Sequence, residues 1–338
     1  MQIMNFSIGQ KKVKDMDVAF QPLSLERSEV GEVPDMFENI IEEAWETVKK
    51  DVNLLDNENR VNAMLRLMKT LELPLLHSTC TGIEMKFALD AAIRPLPNMY
   101  TEEANLKTTC GGICLYPGQL EDCISYKEDR HPYTPVKVSC VAGGFPDGQI
   151  RREVAWKEAT LISMNDANET DVLSNRRYVT QKNWKALYIQ LIEFKALLSP
   201  EIRMKAILVI KDMKSLSDMY TSCMVAMFSG SDFICLWTGE FSASMDYRHV
   251  YAACTAIQEF SRMTGRKVGL KIYASMTVDD ALAYVEFVKR ILGDSWTSAN
   301  YLRISSYMLF SQAWSCLVQL RAQNPNASDA KPSINTSY

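Results

Sequence analysis

Five polar residues fall inside or at the ends of short apolar runs, and they bound the chemistry open to this chain: Cys114, Asp171, Lys205, Cys235 and Lys271. A charge within an apolar strand is costly unless it is paired, so Asp171 and Lys271 are the most informative. They read either as titratable members of an active site or as a structural Asp–Lys pair. Cys235 has a further reading, as a reactive thiol acting as nucleophile or redox sensor. Lys271 would lower its pKa, although no histidine on an adjacent strand is evident as its base.

The elements that must hold these residues follow from hydrophobic periodicity. Between Leu71 and Ser311, apolar runs alternate with amphipathic helical patterns. The runs predict strands at Leu73–Leu76, Gly112–Tyr116, Val136–Val141, Glu169–Leu173, Met204–Val209, Asp232–Leu236, Lys267–Ile272 and Tyr301–Ser305. Intervening helices are marked by stripes such as Leu187, Leu191, Ile192 and Phe194 over Trp184–Leu198, and Leu282, Val285, Val288 and Ile291 over Ala281–Leu292. Eight βα units imply an α/β fold of the (β/α)8 TIM-barrel type, whose sites lie at the C-terminal ends of the strands, where the five polar residues fall.

Residues 1–70 read as an N-terminal extension. It is helical from about Val33, with Pro34 opening a pattern of Met36, Phe37, Ile40, Ile41, Ala44 and Val48 that packs outside the barrel. The barrel spans 71–323, and 324–338 reads as a flexible polar tail. With 338 residues, 47% hydrophobic and 23% charged, the chain can bury a large core. Its net charge of −4 and pI near 5.6 argue against nucleic-acid binding. No stretch of about 18 apolar residues or N-terminal apolar leader is present, which predicts a cytoplasmic protein without a membrane span. Nine scattered cysteines without a CxxC pair, and three histidines far apart, predict reduced core thiols with no metal site and no cofactor.

Five collinear segments resemble class I deoxyribose-phosphate aldolases, particularly the animal type. They are ICLYP at 113–117, VAGGFPDG at 141–148, ETDV at 169–172, MVAMFSGSDFI at 224–234 and TGRKVGLK at 264–271. The resemblance implies a lyase that cleaves 2-deoxyribose 5-phosphate through a lysine imine. Asp171 matches the family's proton-transfer carboxylate, and Lys271 the second lysine that keeps the nucleophilic amine partly neutral. The nucleophile belongs to a Phe-Ile-Lys-Thr-Ser-Thr-Gly-Lys pattern that here reads FICLWTGE over 233–240, which places Cys235 at the lysine position. A thiol gives only a hemithioacetal with an aldehyde and lacks the cationic nitrogen that activates the scissile bond.

Other parts of the implied site depart with it. The glycine turn that receives substrate phosphate after strand 7 is replaced by Ile272, Tyr273, Ala274 and Ser275, and the strand-8 phosphate segment reads Arg303, Ile304, Ser305, Ser306 and Tyr307. Leu76 stands for a strand-1 acid, while Leu236 and Trp237 replace small hydroxyl residues. The expectation is an aldolase-like pseudoenzyme with a binding or structural role, whose pocket includes Cys114, Trp237 and Leu76. The alternative is an altered lyase in which Lys271 or Lys205 forms the imine with Asp171. A protein partner is expected at the extensions outside 71–323, and the resemblance adds a homodimer.

Overall fold

The computed structural model describes residues 38–323 apart from positions 102, 103, 105 and 106. Pro34, Met36 and Phe37 and the predicted tail at 324–338 lie outside the described residues. The helical extension is two helices, α1 (Glu38–Asn53) and α2 (Asn57–Thr70), divided where Asp56 accepts a hydrogen bond from the Asn59 amide at 2.8 Å and caps the second. The buried stripe of α1 is Ile41, Trp45, Val48 and Val52, so Ile40 and Ala44 of the predicted stripe face solvent. Trp45 sets this rotation. Its ring stacks on Tyr247 at 5.3 Å and meets Tyr284 at 4.8 Å and Phe287 at 5.3 Å, burying more area than Ile40 offers.

Eight strands follow: β1 (Glu72–Leu75), β2 (Gly112–Leu115), β3 (Lys137–Ala142), β4 (Glu169–Leu173), β5 (Arg203–Val209), β6 (Phe233–Trp237), β7 (Gly269–Tyr273) and β8 (Leu302–Ser305). Each predicted strand is present, its ends displaced by at most two residues. All pair in parallel in chain order, and β8 returns to β1 through a bridge between Leu71 and Ile304 and a hydrogen bond from Ser305 Oγ to the Glu72 carbonyl at 2.9 Å. The helices α3 (Gly82–Ile93), α4 (Leu120–Arg130), α5 (Arg152–Met164), α6 (Arg176–Thr180), α7 (Trp184–Leu197), α8 (Leu216–Phe228), α9 (Tyr247–Thr264), α10 (Val278–Leu292) and α11 (Leu309–Gln323) run between and after the strands. This is the (β/α)8 barrel, and none of the described helices is long and apolar enough to cross a membrane.

Two cores result from the period-two alternation of the strands. Residues such as Leu208, Leu236, Leu270 and Ile272 face outward into the large core beneath the helices. Their neighbours Lys205, Cys235, Lys271 and Tyr273 therefore face the barrel axis. At the N-terminal ends of β6 and β7 Phe233 fills the space in front of Gly269, where an added Cβ would clash with the ring. The glycine lets the aromatic ring close the barrel floor.

Candidate active site

The five polar residues lie within their strands rather than at the strand ends, and they converge inside the barrel. Strand register sets Asp171 beside Lys205 and Cys235 beside Lys271. Lys271 Nζ lies 2.6 Å from Asp171 Oδ2, and Lys205 Nζ lies 3.0 Å from Asp171 Oδ1. The expected Asp–Lys pair is part of a larger network. Glu72 on β1 bonds Lys205 at 2.7 Å and also pairs with Lys271, Glu169 on β4 bonds Lys205 at 2.7 Å, and Arg303 on β8 reaches Glu169 at 3.2 Å and Glu72 at 3.4 Å. Ser139 donates to Asp171 at 2.6 Å. Three carboxylates thus face three cations, all at most 1% exposed as residues.

Sequence reasoning missed Glu72, Glu169 and Arg303 as members. Their signal was the one that exposed Asp171, a charge within an apolar strand. Glu72 falls just outside the predicted first strand, and Arg303 stands in the sequence only as part of the expected phosphate segment.

The network answers whether a lysine here is a ready nucleophile. Burial favours the neutral amine, but the charges of Asp171, Glu169 and Glu72 outweigh burial for Lys205 and push its pKa up. Lys271 is likewise driven well above the ordinary lysine value, with Asp171 the leading favourable charge. The carboxylate partners of each lysine thus favour its charged form, against the partly neutral amine that the resemblance implies. For Glu72, burial alone would raise the pKa, yet Lys205, Lys271 and Arg303 hold it well below the carboxylate range, and Glu169 is lowered by Lys205 and Arg303 against the same burial effect.

These directions give a pH dependence. The lowered acids stabilise the fold above the unfolded carboxylate pKa, and that contribution is lost as pH falls below about 4.5 toward their folded values. The raised lysines stabilise it below the unfolded lysine pKa, and that contribution is lost as pH rises above about 10.5. Stability from urea unfolding should be flat between about pH 5 and 10 and fall on both sides. A steady rise or fall across that interval would contradict the network as the dominant titrating unit.

Cys235 is wholly buried, and burial pushes its thiol pKa up even though Lys271 opposes the effect. Lys271 thus acts on this thiol in the expected direction, but burial outweighs it. Cys114 is raised in the same way, by burial and then by Asp171. Cys80 and Cys316 are half-buried while the other seven cysteines are buried. Iodoacetamide on the native protein should label only those two, with Cys235 modified after denaturation; rapid labelling of Cys235 on intact protein would restore the reactive-thiol reading.

Above the ion network the barrel mouth is filled. Leu76, Cys114, Cys235, Trp237 and Tyr273 pack together there with Val141, Leu173, Ile207 and Val209, and Tyr116, Phe145 and Tyr307 close over them. Trp237 meets Phe145 at 4.8 Å and Phe241 at 5.8 Å, and Tyr307 meets Phe241 at 5.4 Å and Tyr273 at 6.5 Å. Phe145 and Phe241 come from loops and carry no periodic signal in the sequence. The turns expected to have received phosphate are also engaged within the protein: the amide of Ala274 donates to Ser305 at 3.2 Å, and that of Ser275 donates to Ala243 at 2.9 Å. Ser306 is buried at the end of β8, and Ser305 Oγ is spent on Glu72.

No protein-family model matches the chain. Among curated proteins it is 33% identical to mouse deoxyribose-phosphate aldolase over 204 residues, 60% of this chain and 63% of the enzyme, and 32% identical to the human enzyme with the same coverage. A Caenorhabditis elegans protein provisionally named deoxyribose-phosphate aldolase is 29% identical over 80% of this chain and 85% of its own length. Among solved structures, a Toxoplasma gondii protein of the same provisional name superposes with a TM-score of 0.67 at 15% identity, covering 78% of this chain and 97% of that one. Deoxyribose-phosphate aldolase from Aeropyrum pernix gives 0.56 at 17% identity over 78% and 96% of the two chains. The structures establish the shared barrel, and the curated relatives establish a sequence likeness to deoxyribose-phosphate aldolases.

Proposed function

We propose that this chain is a member of that family that has lost imine chemistry and keeps the barrel as a non-catalytic scaffold, with protein binding at its surface and at the segments flanking the barrel. The observation that carries the reading is the site's centre: a buried Cys235 occupies the register position beside Lys271, and the two lysines within the barrel are bound by carboxylates. Imine formation requires a neutral amine with a free approach to a carbonyl carbon. Here the amines are held as ammonium ions beneath Trp237 and Tyr273. The taken amides of Ala274 and Ser275 support the same reading, since a phosphate needs those donors free.

The 2.6 Å contact of Lys271 with Asp171 favours a second reading, an altered lyase in which these two supply amine and proton-transfer carboxylate. Incubation with 2-deoxyribose 5-phosphate and borohydride separates the two. The scaffold reading expects unchanged intact mass, whereas a reduced adduct mapped to Lys271 or Lys205 establishes the lyase.

A further inference from the structure

The sequence reading finds no cysteine–histidine grouping of metal spacing, yet the fold assembles one outside the barrel network. Just beyond β1, a ring nitrogen of His77, the Cys80 thiol and a carboxylate oxygen of Glu84 lie within 4.8 Å of one another. The backbone causes this. The Cys80 amide donates to the His77 carbonyl at 3.1 Å, so the chain turns back and residues three apart share a side. The next residue, Thr81, caps α3, and Glu84 closes the capping box by accepting from the Thr81 amide at 2.7 Å and its hydroxyl at 2.8 Å. That pair of bonds orients the carboxylate through Oε2 and leaves Oε1 for another partner.

Outer contacts lie beside the His77 ring and the Cys80 backbone. Thr79 Oγ1 stands 3.4 Å from His77 Nδ1, and Gln119 donates to the Cys80 carbonyl at 2.7 Å. Hydrogen bonds of this kind pre-set metal ligands. A second grouping, Glu72 with Cys114 and Asp171, has the same donor density but already holds the ammonium groups of Lys271 and Lys205. No lysine or arginine among the described residues pairs with Glu84, so the outer grouping has donors without a cation.

We propose that His77, Cys80 and Glu84 bind a borderline-soft divalent metal ion of the zinc type. One nitrogen, one sulfur and one oxygen donor suit zinc or cobalt rather than magnesium or calcium. With bonds of about 2.0–2.3 Å, a tetrahedral ion draws its donors to about 3.5 Å apart, a closure of about 1 Å that side-chain rotation supplies. Binding forms one metal–sulfur, one metal–nitrogen and one metal–oxygen bond. The Cys80 proton leaves to solvent, and the fourth position remains for water. The thiol must lose its proton to bind, so binding strengthens as pH rises.

Cobalt reports on this directly. The tag-free full chain, stripped with chelator, is titrated with Co2+ and then with Zn2+. One equivalent is expected to give visible d–d bands and a near-ultraviolet thiolate-to-cobalt band, both bleached by zinc. Cys80→Ser should abolish the thiolate band and His77→Ala should weaken binding at least about tenfold, while Cys316→Ser, the other accessible thiol, changes neither. Circular dichroism confirms that each variant is folded. No thiolate band, or a band that survives Cys80→Ser, overturns the site.

Discussion

Replacing Glu72 by alanine should cost about 3–5 kcal/mol of folding stability, the range for removing one partner of a buried ion pair. The side chain is wholly buried and contacts Lys205, Lys271 and Arg303. Without it three buried cations face only Glu169 and Asp171, and water cannot enter to solvate the excess charge. Domains are stable by only about 5–15 kcal/mol, so this variant sits near the limit of folding. Glu72→Gln keeps the volume but not the charge and should recover only a small part of the loss. Urea unfolding of both, beside exposed Glu46→Ala as control, measures the effect. An E72A protein within about 0.5 kcal/mol of the parent would mean that the network is not a buried charge cluster.

Placing lysine at position 235 should destabilise the protein without producing aldolase turnover. Cys235→Lys adds a fourth cation to a set of three cations and three carboxylates, beneath Trp237 and Tyr273, in a space filled by a thiol. The uncompensated charge and overpacking together should cost about 3 kcal/mol or more, against about 1 kcal/mol for the small cavity of Cys235→Ala. Deoxyribose 5-phosphate cleavage, followed by coupling acetaldehyde release to an alcohol dehydrogenase, should stay at background in C235K. The amides of Ala274 and Ser275 remain bonded within the chain and Tyr307 still covers the mouth, so the phosphate has no seat. Robust turnover by the single variant would refute a pocket remodelled beyond one residue and return the altered-lyase reading to the front.

A neutral side chain of similar length separates charge from volume at this position. Cys235→Met overpacks much as lysine does but brings no charge. A large penalty for C235K that C235M does not share identifies electrostatic balance as the constraint on the barrel axis, whereas similar penalties for both point to packing alone.

Much of this molecule is legible in the chain. Eight apolar runs separated by amphipathic stripes require strands and helices in alternation, because hydrophobic periods of 2 and 3.6 are local properties. Strand order follows from short right-handed connections, and the positions of Asp171, Lys205, Cys235 and Lys271 within strands follow from the strands themselves. The helix stripe of α1 is a partial exception: Ile40 and Ile41 look equivalent in sequence, and the ring contacts of Trp45 with Tyr247, Tyr284 and Phe287, about 200 residues or more away, choose between them.

What the sequence determined by itself is the barrel, the family likeness and the placing of Cys235 within the sixth strand, since each depends on residue identity and near-neighbour spacing. The tertiary structure decided the state of the groups around that replacement. Whether Lys271 is neutral or charged depends on Glu72 and Asp171, 199 and 100 residues distant in the chain. Whether the mouth is open depends on loop rings Phe145 and Phe241 meeting Trp237. Protonation and access are sums over neighbours in space, with electrostatic and packing energies falling off within a few ångströms, and only the closed barrel brings those neighbours within that range.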